Sequence, residues 1–147
     1  MSARINISQL EPQAIKAMMG LESYMADADL SPKLLELIKI RASIVNNCAY
    51  CIHMHTLEAK KLGEDEQVLF ALAAWQESTL FTDKERSVLA LTDAVTLIDK
   101  QGVTDALYKQ CLAVLGEQAL AQCMMQIVTI NAWNRIAVAT KMQFVAG

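Results

Sequence analysis

Nowhere in this sequence does an alternation of apolar and polar residues last long enough to make a strand. Breakers are equally scarce: five glycines and two prolines are spread through 147 residues, and no Ser- or Gly-rich linker divides them. A chain that neither alternates nor breaks has to bury its apolar side chains on helices. Composition agrees. Hydrophobic residues make up 54% of the chain but aromatics only 5%, so Leu, Ala, Ile, Val and Met carry the burial. Ala, Leu and Met are good helix formers. The expected fold is all-α, a single helical domain over residues 1–147 with six to seven helices. The apolar surplus also implies helix surface buried between subunits, so assembly into homo-oligomers is expected.

Local signals set the helix boundaries. Ser31 is a candidate cap and Pro32 suits a first helical turn, where its missing N–H costs nothing. The run LLELIKIRASIV that follows is apolar almost all round, which predicts a central helix. Asn46-Asn47 interrupts it and can cap a second helix from about Cys48 to Leu62, stopped by Gly63. A third helix is expected over Glu66 to Glu77. Thr82 and Glu85 have capping-box spacing, opening a helix that runs to about Asp99. Another leads from Thr104 to Gly116, and a long last helix covers about Glu117 to Phe144.

Acids and bases are interspersed with a net charge of −3, and no basic stripe offers itself to nucleic acid. The amino terminus MSARINISQLEPQ lacks the apolar core of a signal peptide. Apolar runs such as Ala119 to Val128 are broken by Gln122 and Gln126, so no membrane span is expected. These features point to the cytoplasm, where glutathione keeps thiols reduced and paired cysteines are more often catalytic or metal-binding than structural.

The chemistry concentrates in residues 46–63, NNCAYCIHMHTLEAKKLG, which hold both histidines and two of the four cysteines. A helix advances about 100° per residue, so Cys48, Cys51 and His55 share a narrow stripe while His53 points nearly opposite. Haem attachment fails because Ile52 follows the second cysteine where Cys-x-x-Cys-His needs histidine. Zinc could take Cys48, Cys51 and His55 with water as fourth ligand, but Cys111 and Cys123 show no ligand-pair spacing to complete a structural site. A redox dithiol needs less. On a first helical turn the pair can close into a disulfide with little backbone movement, and the free N–H groups and positive dipole end stabilise a thiolate. Lowering a thiol pKa from ~8.5 to about 7 requires roughly 2 kcal/mol, which a histidine one turn away can supply as ion-pair partner or general base. The plain alternative is two buried cysteines meeting a core histidine.

Cys48-x-x-Cys51-x-x-x-His55 resembles the signature of the alkyl hydroperoxidase AhpD-like branch of the carboxymuconolactone decarboxylase family. That branch also carries a glutamate twelve positions before the first cysteine, where this chain has Glu36 inside the apolar run LLELI. By itself Glu36 reads as an acid facing solvent. Phe81-Thr82-Asp83-Lys84-Glu85-Arg86 and Asn131-Ala-Trp-Asn134-Arg135 resemble two further segments of the small members, so the likeness spans about residues 15–145. It implies a helical fold, trimers or hexamers, and thiol-dependent reduction of a peroxide substrate, with no metal or organic cofactor required. It further implies Cys51 as the peroxidatic cysteine, Cys48 as the resolving one, and Glu36 and His55 as a proton relay. Helix physics alone favours Cys48 as nucleophile, nearest the dipole end. The reductant is expected to be a thiol or a lipoyl-protein. Tyr50 stands between the cysteines where some relatives have histidine, and the chain is shorter than the best-known members.

Two rival functions use the same residues differently: a general thiol–disulfide oxidoreductase or redox sensor, and a zinc-stabilised interaction module whose cysteines never turn over. Asn131, Asn134 and Arg135, on one side of the last helix, read either as a polar stripe or as support for the site. Cys111 and Cys123 read as buried apolar thiols, and Met18-Met19 and Met124-Met125 as packing residues.

Overall fold

The computed structural model describes residues 4–145; the ends of the 1–147 span, residues 1–3 and 146–147, lie outside the described residues. Eight α-helices and one 3₁₀ segment follow one another, with no strand among the described residues: α1 Ile7–Leu10, α2 Pro12–Ala26, α3 Pro32–Val45, α4 Ala49–Lys61, α5 Glu66–Ala71, the 3₁₀ segment Leu72–Glu77, α6 Asp83–Thr96, α7 Asp105–Leu115 and α8 Glu117–Thr140. The fold is all-α, and α1 and α2 raise the count above six or seven. Neither announces itself in the sequence, because α1 is one turn and α2 buries only Met25.

The central helix is α3, as its apolar run predicts. Leu34, Leu35, Leu37, Ile38, Ile40 and Ala42 are all buried. One side of it, Leu34 and Ile38, packs with Val88 and Leu91 of α6, Cys111 of α7, and Leu120, Cys123 and Ile127 of α8. The other, Leu37 and Ile40, packs with Ala59 of α4, Leu69, Leu72, Trp75, Phe81 and Leu89. Each such Leu or Ile contributes about 1.5–3 kcal/mol by leaving water. Among the described residues no single helix is long and apolar enough to cross a membrane.

The capping signals held unevenly. Thr82 and Glu85 form the reciprocal capping box, and Thr104 and Asp65 cap α7 and α5 through their side chains. Ser31 sits at the start of α3, but its side chain makes no capping bond. The expected helix over Glu66–Glu77 bends instead at Ala74 (φ −135°, ψ 46°). Two arginines hold this irregular backbone. Arg41 donates to the carbonyls of Leu72 and Ala73 and binds Asp93 at 2.6 and 3.1 Å. Arg86 donates to the carbonyls of Trp75, Gln76 and Ser78, with its guanidinium 5.4 Å from the centre of the Trp75 ring. α8 stops at Thr140, short of Phe144, because Lys141 turns into the left-handed region (φ 55°).

Candidate active site

α3 ends at Asn46, and Asn47 takes a left-handed conformation (φ 55°) that asparagine tolerates better than most residues. The chain thereby reverses within two residues and starts α4 with Cys48 as its cap. The Cys48 N–H donates to the Ser43 carbonyl at 2.9 Å, and the Cys51 N–H donates to the Cys48 sulfur at 3.3 Å. The cap is therefore the cysteine itself, where the sequence suggested asparagine. Cys48 and Cys51 are paired as a disulfide with Cα atoms 5.4 Å apart. Both are buried, 1% and 2% exposed, against Ala137 of α8 and Tyr50.

One turn beyond Cys51, His55 Nδ1 meets Glu36 Oε2 of α3 at 3.0 Å. Glu36 is only 7% exposed, which overturns the solvent-facing expectation for an isolated acid in that run. Its other oxygen accepts a 2.7 Å bond from Lys39. Burial pushes the Glu36 carboxyl up, but the hydrogen bonds from His55 and Lys39 outweigh it and hold the group below its ordinary value. With Oε1 and Oε2 both accepting, a neutral His55 has to carry its proton on Nδ1, leaving Nε2 as the free lone pair. The arrangement can accept a proton on that nitrogen and hold it against a carboxylate.

Polar side chains of α8 fix the turn between α3 and α4. Asn46 Nδ2 donates to Asn131 and Asn134, at 2.9 Å each. Asn134, fully buried, donates to Ser43 Oγ at 3.0 Å, and Ser43 donates to the Lys39 carbonyl at 2.6 Å. Asn131 also donates to Thr96 Oγ1 and accepts from Arg135. Asn131, Asn134 and Arg135 thus form one network with the turn that presents Cys48. The sequence offers Asn46 as a helix cap and not as a partner of α8, and it gives Lys39 and Ser43 no role. Lys39 had a readable signal, an acid–base pair three residues apart on one helix; Ser43 had none.

The remaining candidates fall elsewhere. His53 is exposed and stacks on Phe144 at 5.2 Å, with no bond to Glu36, while Tyr50 meets the same ring edge-on at 6.0 Å. Cys111 and Cys123 are buried core thiols whose burial pushes their pKa up, that of Cys123 to about 11. Among the described residues no three His, Cys, Asp or Glu side chains come together as a metal cage.

A family model of the carboxymuconolactone decarboxylase family matches residues 12–94, more than half of the chain and all of the helices that carry Glu36, Lys39, Cys48, Cys51 and His55. The chain belongs to this family. YdfG of Bacillus subtilis (strain 168), an uncharacterised protein, is 38% identical over 139 residues, covering 95% of each chain. Among solved structures, ATU0492 from Agrobacterium tumefaciens superposes with a TM-score of 0.96 at 37% identity, over 99% of this chain and 100% of that one. ATU0492 is a protein of unknown function proposed to be the antioxidant defence protein AhpD. An uncharacterised peroxidase-related protein from Silicibacter sp. TM1040 shares the fold (TM-score 0.82) at 20% identity, over 92% of this chain and 72% of that one. The AhpD-like architecture expected from the cysteine motif is therefore the architecture of this chain.

Proposed function

We propose that the chain is a thiol-dependent peroxidase that reduces hydroperoxides through a Cys48/Cys51 dithiol–disulfide cycle. The observation that carries the reading is the disulfide-capable pair on the first turn of α4, with the Glu36–His55 couple one turn further on. In the reduced protein His55 Nε2 takes the Cys51 proton. The thiolate attacks the terminal peroxide oxygen; the O–O bond breaks, Cys51 becomes a sulfenic acid, and the alkoxide leaves as an alcohol with the proton from His55. Cys48 then attacks that sulfur, water leaves, and the disulfide forms. Two electrons and two protons from a thiol or a lipoyl-protein restore the dithiol.

The geometry also supports separate roles for the two cysteines. As the cap of α4, Cys48 has its sulfur on the Cys51 N–H, which favours a thiolate, and a resolving cysteine needs that state to attack a sulfenic acid. Cys51 has the base. Burial of both sulfurs supports peroxide reduction over general thiol–disulfide exchange, because a small oxidant reaches them more readily than a bulky protein disulfide. The proposal includes action in the cytoplasm and assembly into trimers or hexamers. Exposed Phe70, Leu80 and Ile98, each more than half accessible, support the second point. Light scattering at micromolar concentration should give a multiple of the chain mass.

The decisive experiment is stopped-flow oxidation of the reduced protein by hydrogen peroxide and by organic hydroperoxides, with mass spectrometry of the products. A second-order rate no faster than that of an ordinary free thiol would sink the peroxidase reading. Stoichiometric zinc in protein purified without chelator would favour the interaction module instead.

A further inference from the structure

The Glu36 carboxylate is a two-sided contact, and only one side faces His55. A buried carboxylate bonded to a histidine alone is poorly placed to stay ionised. Once protonated, its O–H would donate to Nδ1, and the ring proton would then sit on Nε2. In that tautomer the nitrogen left for the cysteines is a donor and takes no proton from a thiol. We infer that Lys39 is a positioning residue of the dithiol site, whose ammonium on Glu36 Oε1 keeps the carboxylate an acceptor and so holds His55 in the tautomer with a free Nε2.

Three observations support this. Lys39 Nζ lies 2.7 Å from Oε1 while His55 uses Oε2, so the two contacts do not compete. Lys39 is largely buried, its side chain 14% exposed, which is rare for lysine unless paired. Its backbone is fixed as well, since the Lys39 carbonyl accepts from Ser43, which Asn134 of α8 holds. Among the described residues, α4 presents His55, and the charged groups bonded to the Glu36 carboxyl are Lys39 and His55. Arg41, five residues on and on a different side of α3, is paired with Asp93 of α6, beside the 3₁₀ segment; Arg135 of α8 is bonded to Asn131.

The inference deepens the proposed peroxidase reading, but its test does not use peroxide. Nitrogen-15 NMR of the reduced protein reports the tautomer of His55, separated from His53 by a His53→Ala variant. Iodoacetamide alkylation across pH reports the cysteines. The wild type should show the Nδ1–H tautomer at pH 7.5. Lys39→Met should populate the Nε2–H form, move the acid limb of alkylation to higher pH, and slow alkylation at neutral pH about tenfold, a part of the ~10²–10⁴ that a positioned base supplies. Lys39→Arg should restore most of both, and Lys39→Met should add nothing in a Glu36→Gln background. Lys39→Gln is measured in parallel, so that poor folding of the methionine variant leaves the comparison intact. Wild-type tautomer and alkylation in both Lys39→Met and Lys39→Gln would overturn the inference. So would an unchanged effect without Glu36. A tautomer change in protein that ignores peroxide would uphold Lys39 and remove the peroxidase reading alone.

Discussion

Two charged pairs hang from the same helix and serve different ends. On one side of α3, Arg41 and Asp93 spend nearly everything they have: Asp93 accepts from Arg41, Trp75 and Gln76, and Arg41 also holds two carbonyls of the 3₁₀ segment. On the other, the chain of contacts runs Lys39, Glu36, His55 and ends on a ring that, among the described residues, is bonded through Nδ1. Both clusters are largely buried. The first is closed and its product is a fixed backbone bend; the second is left one bond short, on the face that carries Cys51. On the proposed peroxidase reading, saturation separates a structural ion pair from one that moves a proton.

That contrast is open to breakage, most severely at the cysteines. Cys51→Ser should abolish peroxide turnover, whereas Cys48→Ser should leave a sulfenic acid on Cys51 that dimedone traps. Trapping at Cys48 in the reverse variant would mean that the helix cap, not His55, selects the nucleophile. His55→Ala should slow the peroxide reaction of the reduced protein by ~10²–10⁴ at neutral pH, with part recovered at high pH as the thiol ionises unaided. Glu36→Gln should show the same pattern more mildly.

Asp93→Ala tests the closed cluster. It strands Arg41 and the Trp75 N–H, so denaturant unfolding should show a loss of about 2–4 kcal/mol. The pH dependence of thiol alkylation should stay at wild type in that variant. A matching shift in both measurements would erase the distinction between the two clusters.

A smaller effect is expected in acid. The Glu36 carboxyl is held below its ordinary value of 4.5, so its contribution to stability is present above that pH and is lost as pH falls through the lower folded value. Melting temperature followed downward from pH 5 should therefore decline less steeply in Glu36→Gln than in the wild type. Smallest of all is His53→Ala, which removes a ring stacked on Phe144 outside the Glu36–His55 couple; its peroxide rate should be nearly that of the wild type.

How much of this was legible beforehand depended on the range of the interaction. The Thr82–Glu85 box and the burial of α3 are local matters of spacing and hydropathy, and both could be read directly. So could the shared face of Cys48, Cys51 and His55, since helical periodicity is set by neighbours three and four residues away. The bend at Ala74 was not readable, because its backbone is held by Arg41 and Arg86, which come from other helices. Nor was the end of α8, where nothing in Lys141-Met-Gln-Phe144 marks a stop as a glycine or proline would. Glu36 shows the divide most clearly. Its spacing from Cys48 matched a family pattern, yet residue by residue an acid in LLELI belongs in water. Only the packing of α4 against α3 brings His55 within 3.0 Å and lets a buried carboxylate keep its charge. The sequence by itself determined the helices from α3 onward, the Ala74 bend and the end of α8 apart, and which face carries the sulfurs, because those follow from short-range periodicity. Tertiary structure alone decided which carboxylate meets which imidazole and which polar side chains of α8 lock the Cys48 turn. Those contacts join residues 19 to 91 positions apart, and nothing in local spacing encodes them.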